Sequence, residues 1–178
     1  MGDSKLKQAK DAIRKELTPG AKQRAHYAFH YKYNKVKPNI ILFESYHGMT
    51  ISGSPLHMLF ELMRSGEAKN YKIYYATRFK EEHSEKARQL GLPITLVDIH
   101  SPKYAEVLAT AKYIVNNSSL PAYFIRREEQ VHLEVWHGTP LKTLGKRMRN
   151  GVGSMFNAQH NYLQASLITF PMNSRATS

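Results

Sequence analysis

From Pro38 onward, short apolar runs alternate with stretches in which apolar residues recur every three or four positions. The runs have the length of buried strands, and the periodic stretches have the length of helices. Residues 39–45, NIILFES, read as a first strand; Ser54 and Pro55 then supply an N-cap and first-turn pair for the helix LHMLFELMRSG, which ends at Gly66. YKIYYATR (71–78) reads as a second strand, followed by the polar helix EEHSEKARQLG, closed by Gly91. PITLVDI (93–99) is a third strand, and Ser101 with Pro102 opens the helix KYAEVLATA. KYIVNNS (112–118) is a fourth. QVHLEVWHG (130–138) is a fifth, with Val131, Leu133 and Val135 on one side and His132 and Glu134 on the other. Thr139 and Pro140 cap a further helix, and SLITFP (166–171) reads as a sixth strand.

Strand and helix alternating at this spacing predict an α/β fold, a parallel sheet with helices on both faces. Right-handed crossovers make it Rossmann-like. Ligands of such sheets collect at the carboxyl ends of the strands, beside helix N-termini. The loops 44–54, 77–82, 98–101, 116–121 and 136–142 are therefore where chemistry is expected.

The first 37 residues have a different texture. Residues 4–17 place Leu6, Ala9, Ile13 and Leu17 at helical spacing among lysines and arginines, and Thr18-Pro19-Gly20 ends that helix. The segment that follows interleaves Tyr27, Phe29, Tyr31 and Tyr33 with cations. Residues 1–37 thus read as a basic, aromatic-containing helical arm, and 38–178 as one domain. The arm either packs its aromatics on that domain or touches anionic lipid headgroups.

Charge narrows the partners. Lys+Arg 26 against Asp+Glu 14 gives +12, with a pI near 9.8, so the surface attracts phosphates of some kind. The 178 residues, 42% hydrophobic, suffice for a real core. With no cysteine, disulfides, thiolate nucleophiles and cysteine-ligated zinc are excluded. Met1 to Lys15 is charged throughout, unlike a secretory signal, and no apolar run approaches the roughly twenty residues needed to span a bilayer. The chain is expected to be soluble or peripheral.

Within the loops, VWHGTPLK (135–142) carries the only tryptophan, at a strand-to-helix junction. Gly138 lets the backbone approach a ligand, Thr139 caps the helix, Pro140 preorganises its first turn, and the free amides beyond form an anion site. Lys142 adds a cation, and His137 is a titratable group near neutrality able to take a proton from a hydroxyl. The plain alternative is a histidine that hydrogen-bonds a loop carbonyl. The loop FESYHGMTISGSP repeats this grammar with Glu44, Ser45, His47 and Gly48 ahead of a helix. Glu44 either orients a histidine or binds a substrate hydroxyl, or else pairs with a Lys or Arg. Asn117, in NNSSLP, offers an amide to a polyol or closes its own turn. Lys142, Lys146, Arg147 and Arg149 either clamp phosphates or form a solvated basic turn. His57 and His83 read as surface or packing residues, and His132 as structural. His26 and His30 stand one helical turn apart without a third ligand, so no metal site is expected. No Walker loop, GxGxxG or GxSxG elbow is present.

In order, ILFESYHG…SP, YYATR, YIVNNSSLPAYFIRREEQ and EVWHGTPLKTLGK resemble the N-terminal half of the catalytic region of CDP-glycerol glycerophosphotransferases, the teichoic-acid polymerases and primases. The resemblance runs from about Asn39 onward, with WHGTPLK its most specific block. It implies the first of two facing Rossmann-like domains in a GT-B arrangement, a transferase acting without a cofactor. The donor, CDP-glycerol or CDP-ribitol, is then held mainly by a second domain, which this sequence is expected to lack. It implies a lipid-linked polyol-phosphate acceptor at the inner face of the cell membrane, an anionic surface, and no role for nucleic acid. His137 becomes the general base that deprotonates the acceptor hydroxyl, with Lys142 and the helix amides supplying positive charge. Two family carboxylate positions are replaced here by Ser54 and by the basic pair Lys146 and Arg147, and any role of those carboxylates falls away. Two other readings stay open on the residues alone: a non-catalytic polyanion-binding module and a sugar-nucleotide glycosyltransferase of the same plan.

Overall fold

The computed structural model describes residues 19–135 and 152–169. The strands are β1 (Lys37–Glu44), β2 (Lys72–Thr77), β3 (Ile94–Asp98), β4 (Ala111–Asn116), β5 (Val131–Val135) and β6 (Leu167–Thr169). The helices are α1 (Pro19–Tyr33), α2 (Gly53–Arg64), α3 (Lys80–Gln89), α4 (Pro102–Thr110) and α5 (Val152–Gln164). All strand pairs are parallel, in the order β3-β2-β1-β4-β5-β6. That is the doubly wound order, with its topological switch between β1 and β4.

The central strands carry continuous apolar runs, Ile40–Phe43 in β1 and Ile73–Ala76 in β2, because helices cover both faces. On one face Leu42, Tyr74, Ala76, Val97 and Ile114 pack under Tyr27 of α1 and Tyr104, Ala105 and Leu108 of α4. On the other, Ile41, Phe43, Ile73, Tyr75 and Val115 meet Leu56 and Leu59 of α2 and Ala87 of α3. Ser101 caps α4, its side chain accepting from the Tyr104 amide, with Pro102 in the first turn. Gly91, at φ +60, follows α3 in the left-handed conformation that ends helices.

Three details differ from the sequence reading or extend it. Helix α2 begins at Gly53, ahead of Ser54 and Pro55; its N-cap is Ser52, and no side chain caps it. The turn is made instead by Gly53 at φ +69, where a Cβ would crowd Asn117 and Tyr46. The apolar and polar sides of β5 alternate as expected, yet His132 and Glu134 are the more deeply buried, while Val131 is exposed. Finally, α1 lies against α4 and buries Tyr27, whose hydroxyl donates to the Ile125 carbonyl at 2.9 Å. Arg127 caps its C-terminus, donating to the carbonyls of Asn34 at 2.6 Å, His30 at 3.1 Å, and Tyr31. The helix expected over residues 4–17 and the Thr139–Pro140 cap lie outside the described residues.

Candidate functional site

Between β1 and α2 the chain makes a tight turn through Tyr46 (φ 49), His47 (φ 57) and Gly48 (φ 74), three successive left-handed residues. For tyrosine and histidine this conformation costs on the order of 1 kcal/mol each. The turn is held by the ends of its neighbours. The Tyr46 amide donates to Asn117 Oδ1 at 2.8 Å and the His47 amide to Ser118 Oγ at 2.9 Å. The Gly48 carbonyl accepts from the Arg78 amide at 2.8 Å, and the His47 carbonyl from Arg78 Nε at 2.9 Å. Ser45 Oγ donates to the Ser52 carbonyl at 2.8 Å and bonds the Tyr75 hydroxyl. Ser45, Gly48 and Asn117 thus shape the loop from within.

Gly48 is needed for a second reason beyond its φ. A Cβ there would lie 2.9 Å from Ile99 Cγ2, and 3.2 and 3.3 Å from backbone atoms of Thr77 and Arg78. Gly48→Ala is expected to destabilise the fold by about 1–3 kcal/mol. The change is read as a lowered urea midpoint at unaltered slope.

The turn forms one wall of a cleft of about 260 Å³ at the carboxyl ends of β1, β2, β3 and β4. Its floor is Glu44, the last residue of β1, with Tyr104 and Tyr123; His47, Arg78 and His100 form an exposed rim. Glu44 is 3% exposed, and the Tyr104 hydroxyl donates to its Oε2 at 2.6 Å. Burial pushes the Glu44 carboxyl up to about 7, against the Tyr104 hydrogen bond and the charge of Arg78. Burial and the nearby Glu44 raise the Tyr104 phenol well above its usual range. The cleft therefore has a cationic mouth and a floor carboxyl that gains and loses its proton near neutrality.

Beneath it runs a buried polar row. Glu44, Asn116 and Glu134 are in register across β1, β4 and β5, so their side chains share one face of the sheet. Asn116 Oδ1 accepts from His132 Nε2 at 2.7 Å. Burial holds His132 down to about 4, neutral, as a structural histidine would be. Glu134, 1% exposed, makes no hydrogen bond of good geometry among the described residues, with the Asn116 amide beside it and His132 Nε2 3.8 Å from its Oε2. Burial, with Glu44 adding to it, pushes its carboxyl up to about 8, opposed by the Asn116 amide.

Of the residues singled out in the sequence, Glu44 and His47 face the cleft, and Ser45, Gly48 and Asn117 support it. His137, Gly138, Thr139 and Lys142 lie outside the described residues. Arg78, His100, Tyr104 and Tyr123 were not singled out. Arg78 and His100 sit in two of the loops marked by strand ends; Tyr104, inside a helix, gave no such signal. His83 is a buried packing residue, bonded to Thr77 Oγ1 at 2.5 Å. Among the described residues no group of His, Asp or Glu converges to hold a metal ion, and no helix is long and apolar enough to cross a membrane.

Residues 25–169 match the family model for CDP-glycerol:poly(glycerophosphate) glycerophosphotransferase. A teichoic acid poly(glycerol phosphate) polymerase of Staphylococcus epidermidis is 29% identical over 133 residues, covering 72% of this chain and 17% of that protein. Its counterpart in Bacillus subtilis is 33% identical over 113 residues, covering 64% of this chain and 14% of that protein. The chain thus spans under a fifth of these relatives. A solved structure of the wall teichoic acid polymerase TagF superposes with a TM-score of 0.69 at 23% identity, covering 92% of this chain and 40% of that one. At that identity the likeness establishes the fold, as expected of the first Rossmann-like unit of a GT-B plan.

Proposed function

The chain belongs to the CDP-glycerol:poly(glycerophosphate) glycerophosphotransferase family, and from that premise we propose that it is the acceptor-side domain of a polyol-phosphate transferase. The donor is CDP-glycerol or CDP-ribitol, held by the second domain that the resemblance implies. The acceptor is a lipid-linked polyol phosphate of the teichoic-acid type. Its hydroxyl oxygen attacks the donor β-phosphorus, a new phosphorus–oxygen bond forms, the bond to the bridging oxygen breaks, and CMP leaves. His137 takes the hydroxyl proton. Phosphoryl transfer asks mainly for positioning and positive charge, and Arg78, His47, His100 and Lys142 supply cations or titratable groups on this side.

The observation that carries this reading is the cleft at the β1/β4 switch point, cationic at its mouth and built on the loop after β1, inside the matched residues 25–169. A lipid-linked acceptor puts the reaction at the inner face of the cell membrane. The net charge of +12 suits an anionic surface.

The test is a transfer assay on the full-length protein, with CDP-glycerol, CDP-ribitol and UDP-glucose as donors and a lipid-linked glycerol-phosphate primer as acceptor. CMP release matched by primer extension is expected with a CDP-polyol and not with UDP-glucose. Extension from UDP-glucose alone would make the protein a glycosyltransferase. Binding of RNA or anionic vesicles with no transfer from any donor would make it a polyanion-binding module.

A further inference from the structure

We propose that the switch-point cleft is a subsite for a single phosphorylated small polyol, one hydroxyl against Glu44, Tyr104 and Tyr123, its phosphate at the rim among Arg78, His47 and His100, and its terminal hydroxyl at the mouth. The transferase reading supplies the natural ligand, the terminal unit of the acceptor; the site itself stands on its own geometry.

Size comes first. About 260 Å³ lies below the ~300–1,000 Å³ of pockets for drug-sized ligands, so the cleft takes one small molecule and leaves no room for a nucleotide. Polarity then sets which end goes where. Among the described residues the floor holds a carboxyl and two phenols and no cation, while the rim holds one arginine and two histidines. A ligand that suits both has an uncharged, hydroxyl-bearing end and an anionic end. Reversing it would put a phosphate against Glu44, which Coulomb repulsion forbids whenever that group is ionised.

The floor also has unmet hydrogen-bonding capacity. The Tyr123 hydroxyl is shielded from solvent and has no hydrogen-bond partner among the described residues. Buried hydroxyls are normally satisfied, and a polyol hydroxyl, both donor and acceptor, satisfies this one without bringing charge. Glu44 near neutrality offers the same versatility, accepting as carboxylate or donating as acid. At the rim, the bond from Arg78 Nε to the His47 carbonyl fixes the guanidinium plane beside the strained turn. A guanidinium fixed in this way is preorganised for a phosphate. The hydroxyl held at the floor is not the one that attacks, because it lies away from the mouth. Glu44 is therefore a positioning residue that recognises the acceptor's neighbouring hydroxyl.

The experiment titrates the 178-residue chain with sn-glycerol 3-phosphate, glycerol and inorganic phosphate, followed by calorimetry and by the histidine NMR signals. Glycerol 3-phosphate is expected to bind at least about tenfold tighter than either fragment. Arg78→Ala should weaken it by about tenfold, as loss of a charged hydrogen-bonded contact does. Glu44→Leu should remove its advantage over phosphate, and Glu44→Gln, which keeps the shape, should retain most of it. Thermal melts of each variant establish that the fold is intact. Phosphate binding as tightly as glycerol 3-phosphate, or no effect of Arg78→Ala, overturns the subsite. In the full-length transfer assay both Arg78→Ala and Glu44→Leu should raise the acceptor KM with a smaller change in kcat. Normal transfer with an unchanged acceptor KM in both variants would overturn the subsite and leave the transferase standing. Tight binding of glycerol 3-phosphate without any transfer would uphold the subsite and overturn the transferase.

Discussion

Glu134→Gln is expected to raise stability at pH 9 by on the order of 4 kcal/mol, roughly 10 °C in melting temperature, and to change little at pH 5. Folding carries the Glu134 carboxyl from its ordinary 4.5 up to about 8, because it is buried and Glu44 lies along the same row. The folded protein therefore holds that proton more tightly than the unfolded chain does. The associated stability is whole below pH 4.5 and is lost as the pH rises to 8. Glu44 adds a further loss between 4.5 and about 7. His132 works in the opposite sense: burial takes it from 6.5 down to about 4, so its contribution is present above 6.5 and is lost as the pH falls toward 4. Among the described residues the groups facing Glu134 are Glu44, Asn116, His132 and Tyr162, and none of these is a fixed cation that would hold the carboxylate ionised. The wild-type melting temperature should fall from about pH 5 toward pH 9, since between 4.5 and 6.5 the two carboxyls lose more than His132 gains, and glutamine at 134 flattens that limb. Parallel melting curves of wild type and Glu134→Gln across pH 5 to 9 would remove the buried-acid explanation.

The same row shows what the sequence disclosed and what it withheld. Apolar runs such as Ile40–Phe43 and Ile73–Ala76 announce strands because a doubly covered sheet has no polar face, and their alternation with helices leaves few topologies. The alternation in β5 was legible as well, with His132 and Glu134 opposite the valines. Their depth was not, since burial is decided by α5 and the segment before β5, which pack over them from elsewhere in the chain. Phe124, for instance, sets its ring edge-on to His132 at 5.6 Å between centroids.

The site divides in the same way. Glu44, His47, Gly48 and Asn117 could be picked out because they cluster at strand ends, where the fold class places ligands. Tyr104 could not, because it reaches Glu44 from sixty residues away, out of the first turn of α4. The caps show the contrast on a smaller scale. Ser101-Pro102 marks a real cap, whereas Ser54-Pro55 follows a start already made by the left-handed Gly53. A local motif predicts a local hydrogen bond only where the tertiary turn leaves it room to form.

For the full-length protein, His137→Ala is expected to lower kcat for polyol-phosphate transfer by 10²–10⁴, about 3–5 kcal/mol in the barrier. The acceptor hydroxyl has a pKa far above neutrality, so without a positioned base its proton must leave unaided as the phosphorus–oxygen bond forms. In the sequence His137 follows Val135, the last residue of β5, by two positions. The base acts on the hydroxyl only as bonds change, so its loss should fall on kcat, with donor and acceptor KM altered by a few-fold at most. His137→Gln should lose as much as His137→Ala, since an amide keeps a hydrogen bond but takes up no proton. That equality separates a base from a side chain that merely positions the loop, for which glutamine would restore part of the rate. Turnover of His137→Ala within tenfold of wild type, in a protein whose melting curve is unchanged, would take the base assignment away and leave positioning and cationic charge to explain the rate. Glutamine rescuing at 137 would assign the residue to holding the loop.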